Sequence, residues 1–473
     1  MVTIDNLPDD VLSEIFDFYV VKHEGLLYFI IVASSGKMEI ESWQSLVHVC
    51  RRWRRLVFAS PRRLNLRLYC TPERSARMSL NVWPALPLLI HGGGPVDNVI
   101  AQLEHSDRIR EFGICLNTYA TREIEKLWTA MQVPFPELTT LDLFHDLPNV
   151  PVLADSFLRG SVPRLQYLGL TSIPFPGIPK LLLSATHLVQ LRLYNIPHSG
   201  YISPEAMVTC LSTLTSLEFL QLEFQSPQSC PGLETQPPFL PTRLVLPTLT
   251  KFWFKGASEY LEEFLARIDA PQVYNLLTAF FNDIDFDTPE LAQFIGRTPT
   301  LRLYDEARLM FSGRQAQVRL KPRPKQFSQR MVEVAILCQV SNGQLSSLAQ
   351  VCTLPLRLLL TMENLYIEDQ YPPPDWKDDI EAAEWLDLLH PFSAVKNLYL
   401  SEEFAPRIAP ALQELTEGRT TEMLPALKHI LIQGFQPSEP VQEGIAQFIS
   451  ARQLINRPVV ISLWNRDLAQ DES

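Results

Sequence analysis

Leu165-Gln166-Tyr167-Leu168-Gly169-Leu170 and Leu188-Val189-Gln190-Leu191-Arg192-Leu193 spell one template: apolar, two residues, apolar, one residue, apolar. The same template stands earlier at Ile109-Phe112-Ile114 and Leu138-Leu141-Leu143, and later at Leu217-Leu220-Leu222 and Leu249-Phe252-Phe254. It resumes at Met331-Val334-Ile336, Met362-Leu365-Ile367, Val395-Leu398-Leu400 and Leu427-Ile430-Ile432. Successive starts lie 29, 27, 23, 29 and 32 residues apart in the first block and 31, 33 and 32 in the second. Proline stands two residues before the first apolar position at Pro136, Pro163, Pro247 and Pro425. The 82-residue gap from Leu249 to Met331 leaves room for two more units, near Val273–Leu276 and Leu309–Phe311. One such hexapeptide is common by chance; ten at similar spacing mark a repeat.

The last two apolar positions of each unit alternate with polar ones, which predicts a short strand with one buried face. Helix-like runs such as Pro204–Leu214 and Asp379–Leu389 separate the strands. Strand then helix, repeated, stacks strands in parallel on one face and helices on the other. The fold class expected is therefore α/β, and the pattern resembles an irregular leucine-rich-repeat solenoid. It lacks the Asn or Cys that follows the strand in the most regular members of that family, and its unit length varies. Two segments interrupt it. Pro227–Pro247 holds six prolines and predicts an extended loop, and Tyr371-Pro372-Pro373-Pro374 opens an acidic helix with Asp378, Asp379, Glu381, Glu384 and Asp387 on its wet side.

Composition bounds the function. The chain has 473 residues, 46% of them hydrophobic and 20% charged, which excludes wholesale disorder and suits more than one compact part. Its net charge is -12, from 41 Lys and Arg against 53 Asp and Glu, so it is a poor general binder of nucleic acid. The most apolar stretch, Leu26–Ala33, is far shorter than the ~20 residues that cross a bilayer, and Met1–Asp10 lacks a basic leader-like start. Seven cysteines at 50, 70, 115, 210, 230, 338 and 352 form no CxxC pair, which reads as reduced thiols in a cytoplasmic or nuclear protein.

The N-terminal segment differs from the repeats. Leu7, Val11, Leu12, Ile15, Phe16 and Tyr19 share one face of a helix predicted over residues 5–21, with Pro8, Asp9 and Asp10 in its first turn. A second helix is predicted from Ser42 to Ala59, with Trp43, Leu46, Val49, Cys50, Trp53 and Leu56 on its apolar face. Arg51, Arg52, Arg54 and Arg55 ride opposite, and without aromatic stacking partners they read as a solvated face. Two short helices cannot hide that much apolar surface, so part of it, including Leu7, Pro8, Val49 and Trp53, should stay exposed for a partner.

Leu7-Pro8-x-x-Val11-Leu12-x-x-Ile15-Phe16 followed by Leu46-x-x-Val49-Cys50-Arg51-x-Trp53 resembles an F-box. Through Phe58-Ala59-Ser60-Pro61-Arg62 the segment is similar to the F-box proteins of mushroom-forming fungi. The departure is an insertion at about residues 21–41, where Leu26–Ala33 and Met38–Ile40 around Ser35-Gly36 suggest a hairpin. The resemblance implies docking on a Skp-type adaptor, and through it a cullin, by Leu7, Pro8, Val11, Leu12, Ile15, Phe16, Leu46, Val49, Cys50 and Trp53. The expected organisation is an F-box over 1–62, a capping or linking segment over 63–108 and a repeat domain over 109–473.

No active site emerges from the sequence. Gly92-Gly93-Gly94 has no phosphate-loop context, the nine histidines form no HExxH, and no GxSxG occurs. Asp283, Asp285 and Asp287 alternate, but the rest of a calcium loop is missing. No enzyme activity, cofactor or metal is expected, and no nucleic-acid or membrane partner. What remains is a surface: Arg192, Tyr194, Gln221, Glu223, Lys251, Trp253 and Tyr399 face away from the strand leucines, in the aromatic and charged mixture that binding patches favour. The function that the F-box resemblance implies is that of a substrate-receptor subunit of a cullin–RING, SCF-type ubiquitin ligase, holding an unknown client protein on its repeat domain. Two other readings remain: a leucine-rich scaffold or inhibitor unconnected with ubiquitin, and a divergent hydrolase, against which the lack of a nucleophile–base pair counts.

Overall fold

Most of the repeats enter their strand through the same tight turn. The amide of the first template residue donates to the carbonyl three residues before it: Leu138 to Phe135 (3.3 Å), Leu165 to Val162 (3.1 Å), Leu217 to Leu214 (3.2 Å), Met362 to Leu359 (3.3 Å) and Leu427 to Leu424 (3.0 Å). The prolines at 136, 163 and 425 occupy the second position of such turns, where a φ fixed near -65° is already correct. The residue opening each turn (Phe135, Val162, Leu214, Leu359, Leu424) is buried and adds a fourth apolar position to the repeat. Threonines just ahead of two strands tie neighbouring repeats together. Thr139 and Thr250 donate their hydroxyls to the carbonyls of Arg110 (3.0 Å) and Glu218 (2.9 Å) in the preceding unit.

The computed structural model describes residues 7–19, 42–59, 66–70, 85–92, 94–147, 150–227, 243–281, 288–302, 304–322, 330–337, 344–353, 359–370, 381–415, 423–433 and 439–464. The insertion and its suggested hairpin, the middle of the proline-rich loop, the Asp283–Asp287 run and the Tyr371–Asp379 segment lie outside the described residues. The chain divides into two compact units, residues 1–188 and 189–473.

The first unit opens with helices Asp9–Tyr19, Ser42–Val49 and Arg51–Ala59. The single second helix expected over 42–59 is thus two. Cys50 interrupts it, because its Sγ accepts the amide of Trp53 (3.4 Å) and its carbonyl accepts that of Arg54 (3.1 Å), so that it starts a new helix. Parallel strands follow: β1 (Leu68–Cys70), β2 (Leu88–His91), β3 (Ile109–Cys115), β4 (Thr140–Phe144) and β5 (Tyr167–Thr171), each paired with the next. β1 and β2 lie in the segment 63–108 expected as a cap, so strand stacking begins well before Ile109. Helices Val96–Leu103, Thr121–Ala130 and Ile178–Leu182 bury Val99, Leu103, Leu127, Trp128 and Leu181.

The second unit carries β6 (Gln190–Ile196), β7 (Phe219–Phe224), β8 (Leu244–Val245), β9 (Lys251–Gly256), β10 (Ile268–Asp269) and β11 (Asn275–Phe281). It continues with β12 (Glu306–Phe311), β13 (Gln315–Lys321), β14 (Met331–Leu337), β15 (Asn364–Asp369), β16 (Asn397–Leu400), β17 (His429–Gln433) and β18 (Val460–Trp464). β6, β7, β9 and β11 pair in parallel in chain order, and β15 to β18 do the same. Between these blocks the all-parallel expectation fails. The strand beside β11 is β14; β13 then runs antiparallel between β14 and β12, and β12 pairs in parallel with β15. The cause is local. Only Ser312-Gly313-Arg314 separate β12 from β13, far too short for a parallel crossover, and Ser312 N donates to Gln315 O (2.9 Å) to close a hairpin.

The helices of this unit bury one apolar side each, including Met207 and Leu211, Leu261 and Phe264, Leu291 and Phe294, Trp385 and Leu388, and Ile408 and Leu412. Aromatic rings fill the layer beneath β7 to β11, where Phe224 meets Tyr260 at 4.9 Å and Phe252 meets Phe264 at 5.6 Å between centroids. No helix among the described residues is long and apolar enough to cross a membrane.

Candidate protein-binding surfaces

The helical start of the first unit joins the two halves of its motif through one arginine and one aromatic pair. Arg52 Nε donates to Asp9 Oδ1 (2.9 Å), and its Nη2 donates to the same carboxylate oxygen and to the carbonyl of Leu7. Phe16 and Trp53 meet at 4.8 Å. Leu12, Phe16 and Leu46 are buried inside this bundle, so they shape the surface rather than form it. Pro8, Val11, Ile15 and Val49 are exposed, Val49 by 59%, while Leu7, Cys50 and Trp53 are half-buried. Beyond the break at Cys50, Val57 is buried within the second of the two helices. Phe18, 89% exposed, and Tyr19 extend the apolar patch; the sequence reading did not single out Phe18, although it continues the helix next to Ile15. Trp43 is buried and donates from Nε1 to Arg67 O (3.2 Å), which ties these helices to the residue before β1.

In the second unit, the strand positions facing away from the leucines align from strand to strand. One row reads Arg192, Gln221, Trp253, Leu277, Glu333, Arg319, Arg308, Tyr366, Tyr399, Leu431 and Ser462, each residue directly opposite the next. The period of two that buries Leu191 and Leu193 necessarily puts Arg192 on this open face.

At the β6–β11 end the row is a linked aromatic and cationic assembly. The Arg192 guanidinium lies 4.6 Å over the Phe219 ring, and Phe219 meets Trp253 edge to face at 4.9 Å. Trp253 Nε1 donates to Asn275 Oδ1 (3.2 Å). Lys255 stands 5.7 Å from the Phe281 centroid, and the Gln221 amide donates to Glu223. Burial raises the pKa of Glu223, while the Gln221 hydrogen bond and the nearby Lys255 charge pull it back down. Tyr194 is exposed, whereas Gln221 is buried and serves Glu223 rather than solvent. The structure thus gathers Arg192, Gln221, Glu223, Lys251 and Trp253 on neighbouring strands. Phe219, Lys255, Asn275 and Phe281 belong with them; the same alternation that picked out Lys251 and Trp253 was enough to find them.

Tyr399 lies apart from that group, in a second assembly at β12–β18. It stacks on Tyr366 at 4.0 Å with planes 8° apart, and Trp464 meets both rings edge-on at 5.5–5.6 Å. Arg308 covers the other face of Tyr366 at 4.4 Å and binds Glu306 (2.6 Å) and Glu368 (3.1 Å). Burial works against the Arg308 charge, but the two carboxylates outweigh it and raise its pKa. Arg319 pairs with Glu333 in the same manner. Burial, with Arg308 and Arg319 beside it, lowers the pKa of Lys321. On the first unit, Glu111 sits between His91 (3.4 Å) and Arg67 (3.8 Å). Among the described residues no group of three or more His, Cys, Asp or Glu is placed to hold a metal ion.

No protein-family model matches the chain, and no curated protein matches it. Among solved structures it is similar to the leucine-rich-repeat-containing protein LegL7 from Legionella pneumophila, at 12% identity, over 81% of this chain and 97% of that one, with a TM-score of 0.26. That likeness carries no inference about function.

Proposed function

We propose that the chain is a substrate-receptor subunit of a cullin–RING ubiquitin ligase, docking on a Skp-type adaptor through the F-box-like segment 1–62 and on a client protein through the open strand face of the repeats. The observation that carries this reading is the apolar patch of Pro8, Val11, Ile15, Phe18 and Val49, left uncovered on helices that bury Leu12, Phe16, Leu46 and Val57. All but Phe18 belong to the two halves of the F-box-like motif, which Arg52 and the Phe16–Trp53 contact hold together. Such a receptor needs no catalytic residue of its own. It raises the local concentration of client near the transfer machinery.

The double variant Leu7→Ala with Pro8→Ala should lose adaptor capture, because removing central apolar contacts typically costs ~2 kcal/mol or more at an interface. Its thermal transition should stay close to that of the parent protein. Undiminished capture sinks the reading. A second reading, a leucine-rich binding scaffold whose first helices cap the strand array, draws support from the Trp43–Arg67 hydrogen bond. It predicts no adaptor or cullin in affinity-purified material from either protein.

A further inference from the structure

The geometry of the β6–β11 face points to the kind of partner it accepts: we infer that it binds an extended acidic segment, in which two carboxylates four residues apart flank an apolar side chain. The inference rests on the reading of this face as a protein-binding surface and adds the chemistry of what is bound.

Charge is the first support. The open-face positions of β6, β7, β9 and β11 hold three cations, Arg192, Lys251 and Lys255, against one carboxylate, Glu223. This excess stands on a chain whose net charge is -12. Among the described residues neither Lys251 nor Lys255 has an ion-pair partner, whereas Arg308 and Arg319, farther along the same row, are taken up by Glu306, Glu368 and Glu333. Burial disfavours the charge of Glu223, the one like charge facing an incoming carboxylate, against the opposing pull of Gln221 and Lys255.

Spacing is the second support. Lys251, Trp253 and Lys255 are alternate residues of β9, so all three point to the open face, and the lysines lie about 13 Å apart along the strand. An extended peptide has the same repeat: its residues i, i+2 and i+4 present to one side. A carboxylate at i, an apolar residue at i+2 and a carboxylate at i+4 therefore fall on Lys251, Trp253 and Lys255. Leu277, directly opposite Trp253, widens the apolar floor. Preorganisation is the third support. The indole is fixed by Asn275 on one strand and Phe219 on another, so little side-chain freedom is lost on binding.

The test is selection of a random peptide library on the immobilised full chain, followed by titration of the enriched peptides. Expected are peptides with Asp or Glu at i and i+4 around an apolar i+2. Their affinity should fall with added salt and drop about tenfold or more in Lys251→Glu with Lys255→Glu, as for other charge-complementary contacts. Should the double reversal fold poorly, Lys251→Gln with Lys255→Gln should give a smaller loss in the same direction. Enrichment of neutral or basic peptides, or no enrichment, overturns the inference. So does a preference for a single-stranded RNA oligonucleotide, or binding that requires phosphoserine in place of the carboxylates. The charge-reversed protein should still capture the adaptor. Adaptor loss in the parent with acidic peptides retained would remove the ligase reading and leave this one standing.

Discussion

The two aromatic–cation assemblies on the open face of the second unit use the same parts and end in opposite states. At β12–β18, Arg308 has a ring beneath it and two carboxylates around it, Tyr366 is only 7% exposed and Glu368 only 1%. At β6–β11, Arg192 also has a ring beneath it, yet among the described residues Lys251 and Lys255 have no ion-pair partner, Glu223 acting on Lys255 only from a distance, and both stand beside a half-exposed tryptophan. A cation that is satisfied internally stabilises the fold; one that is left over is available to a partner. Residue type alone does not separate these roles. What separates them is whether a carboxylate comes within ion-pairing distance, as Glu306 and Glu368 do at Arg308 and Glu223 does not at Lys255.

The comparison depends first on which strand face is inside, and the largest effect tests that. Leu191 is wholly buried while Arg192, its neighbour, lies on the open face. Leu191→Ala should cost ~2–5 kcal/mol through the cavity it leaves, and Arg192→Ala less than ~1 kcal/mol, both read from urea unfolding. A reversed order would invert the faces and dissolve both assemblies.

Next in size is the satisfied assembly itself. Arg308→Ala leaves Glu368 buried without its cation, which should cost about 2–3 kcal/mol, below the range for fully buried pairs because Arg308 is itself about a quarter exposed. Adding Glu368→Gln to that variant should restore part of the loss. Lys255→Ala at the other end should change stability by no more than ~0.5 kcal/mol. Equal losses at the two ends would erase the distinction drawn between them.

Much of the array could be read from the sequence, and the exceptions are instructive. The template positions are local: Leu165, Leu168 and Leu170 each sit where a tight turn and a period of two must put them, so the strands and their buried faces follow from spacing. Strand order at β12–β14 does not, because alternation is identical in parallel and antiparallel strands. The signal lay instead in Ser312-Gly313-Arg314, a connection too short to cross over. The open face was legible as a set of positions, since Arg192, Lys251 and Trp253 alternate with leucine or phenylalanine. Its division into paired and unpaired charge was not, because Arg308 meets Glu368 across sixty residues of chain. In the N-terminal helices the motif carried the residues, but the break at Cys50, where a thiol accepts an amide hydrogen, was not legible in a helical period that runs on through it.

The smallest effect concerns Glu223, the single carboxylate of the unpaired assembly. Burial raises its pKa in the folded protein above the ordinary value of 4.5, so the folded state holds this proton more tightly than the unfolded chain does. Below that ordinary value the side chain is protonated in both states and nothing is lost. As the pH rises through the folded value, the native state must carry a partly buried charge, and stability falls by the same linkage. Glu223→Gln removes the ionisation while its amide oxygen can still accept from Gln221. The variant should therefore match the parent in acid and gain stability, by less than ~1 kcal/mol, at neutral pH, as differential calorimetry across that interval would record. It should also bind acidic peptides more tightly, because a like charge beside Lys255 is gone. A neutral-pH loss of stability would mean that the Glu223–Lys255 attraction outweighs the burial cost. Lys255 would then belong, like Arg308, to the satisfied class, and Lys251 alone would remain to meet a partner's carboxylate.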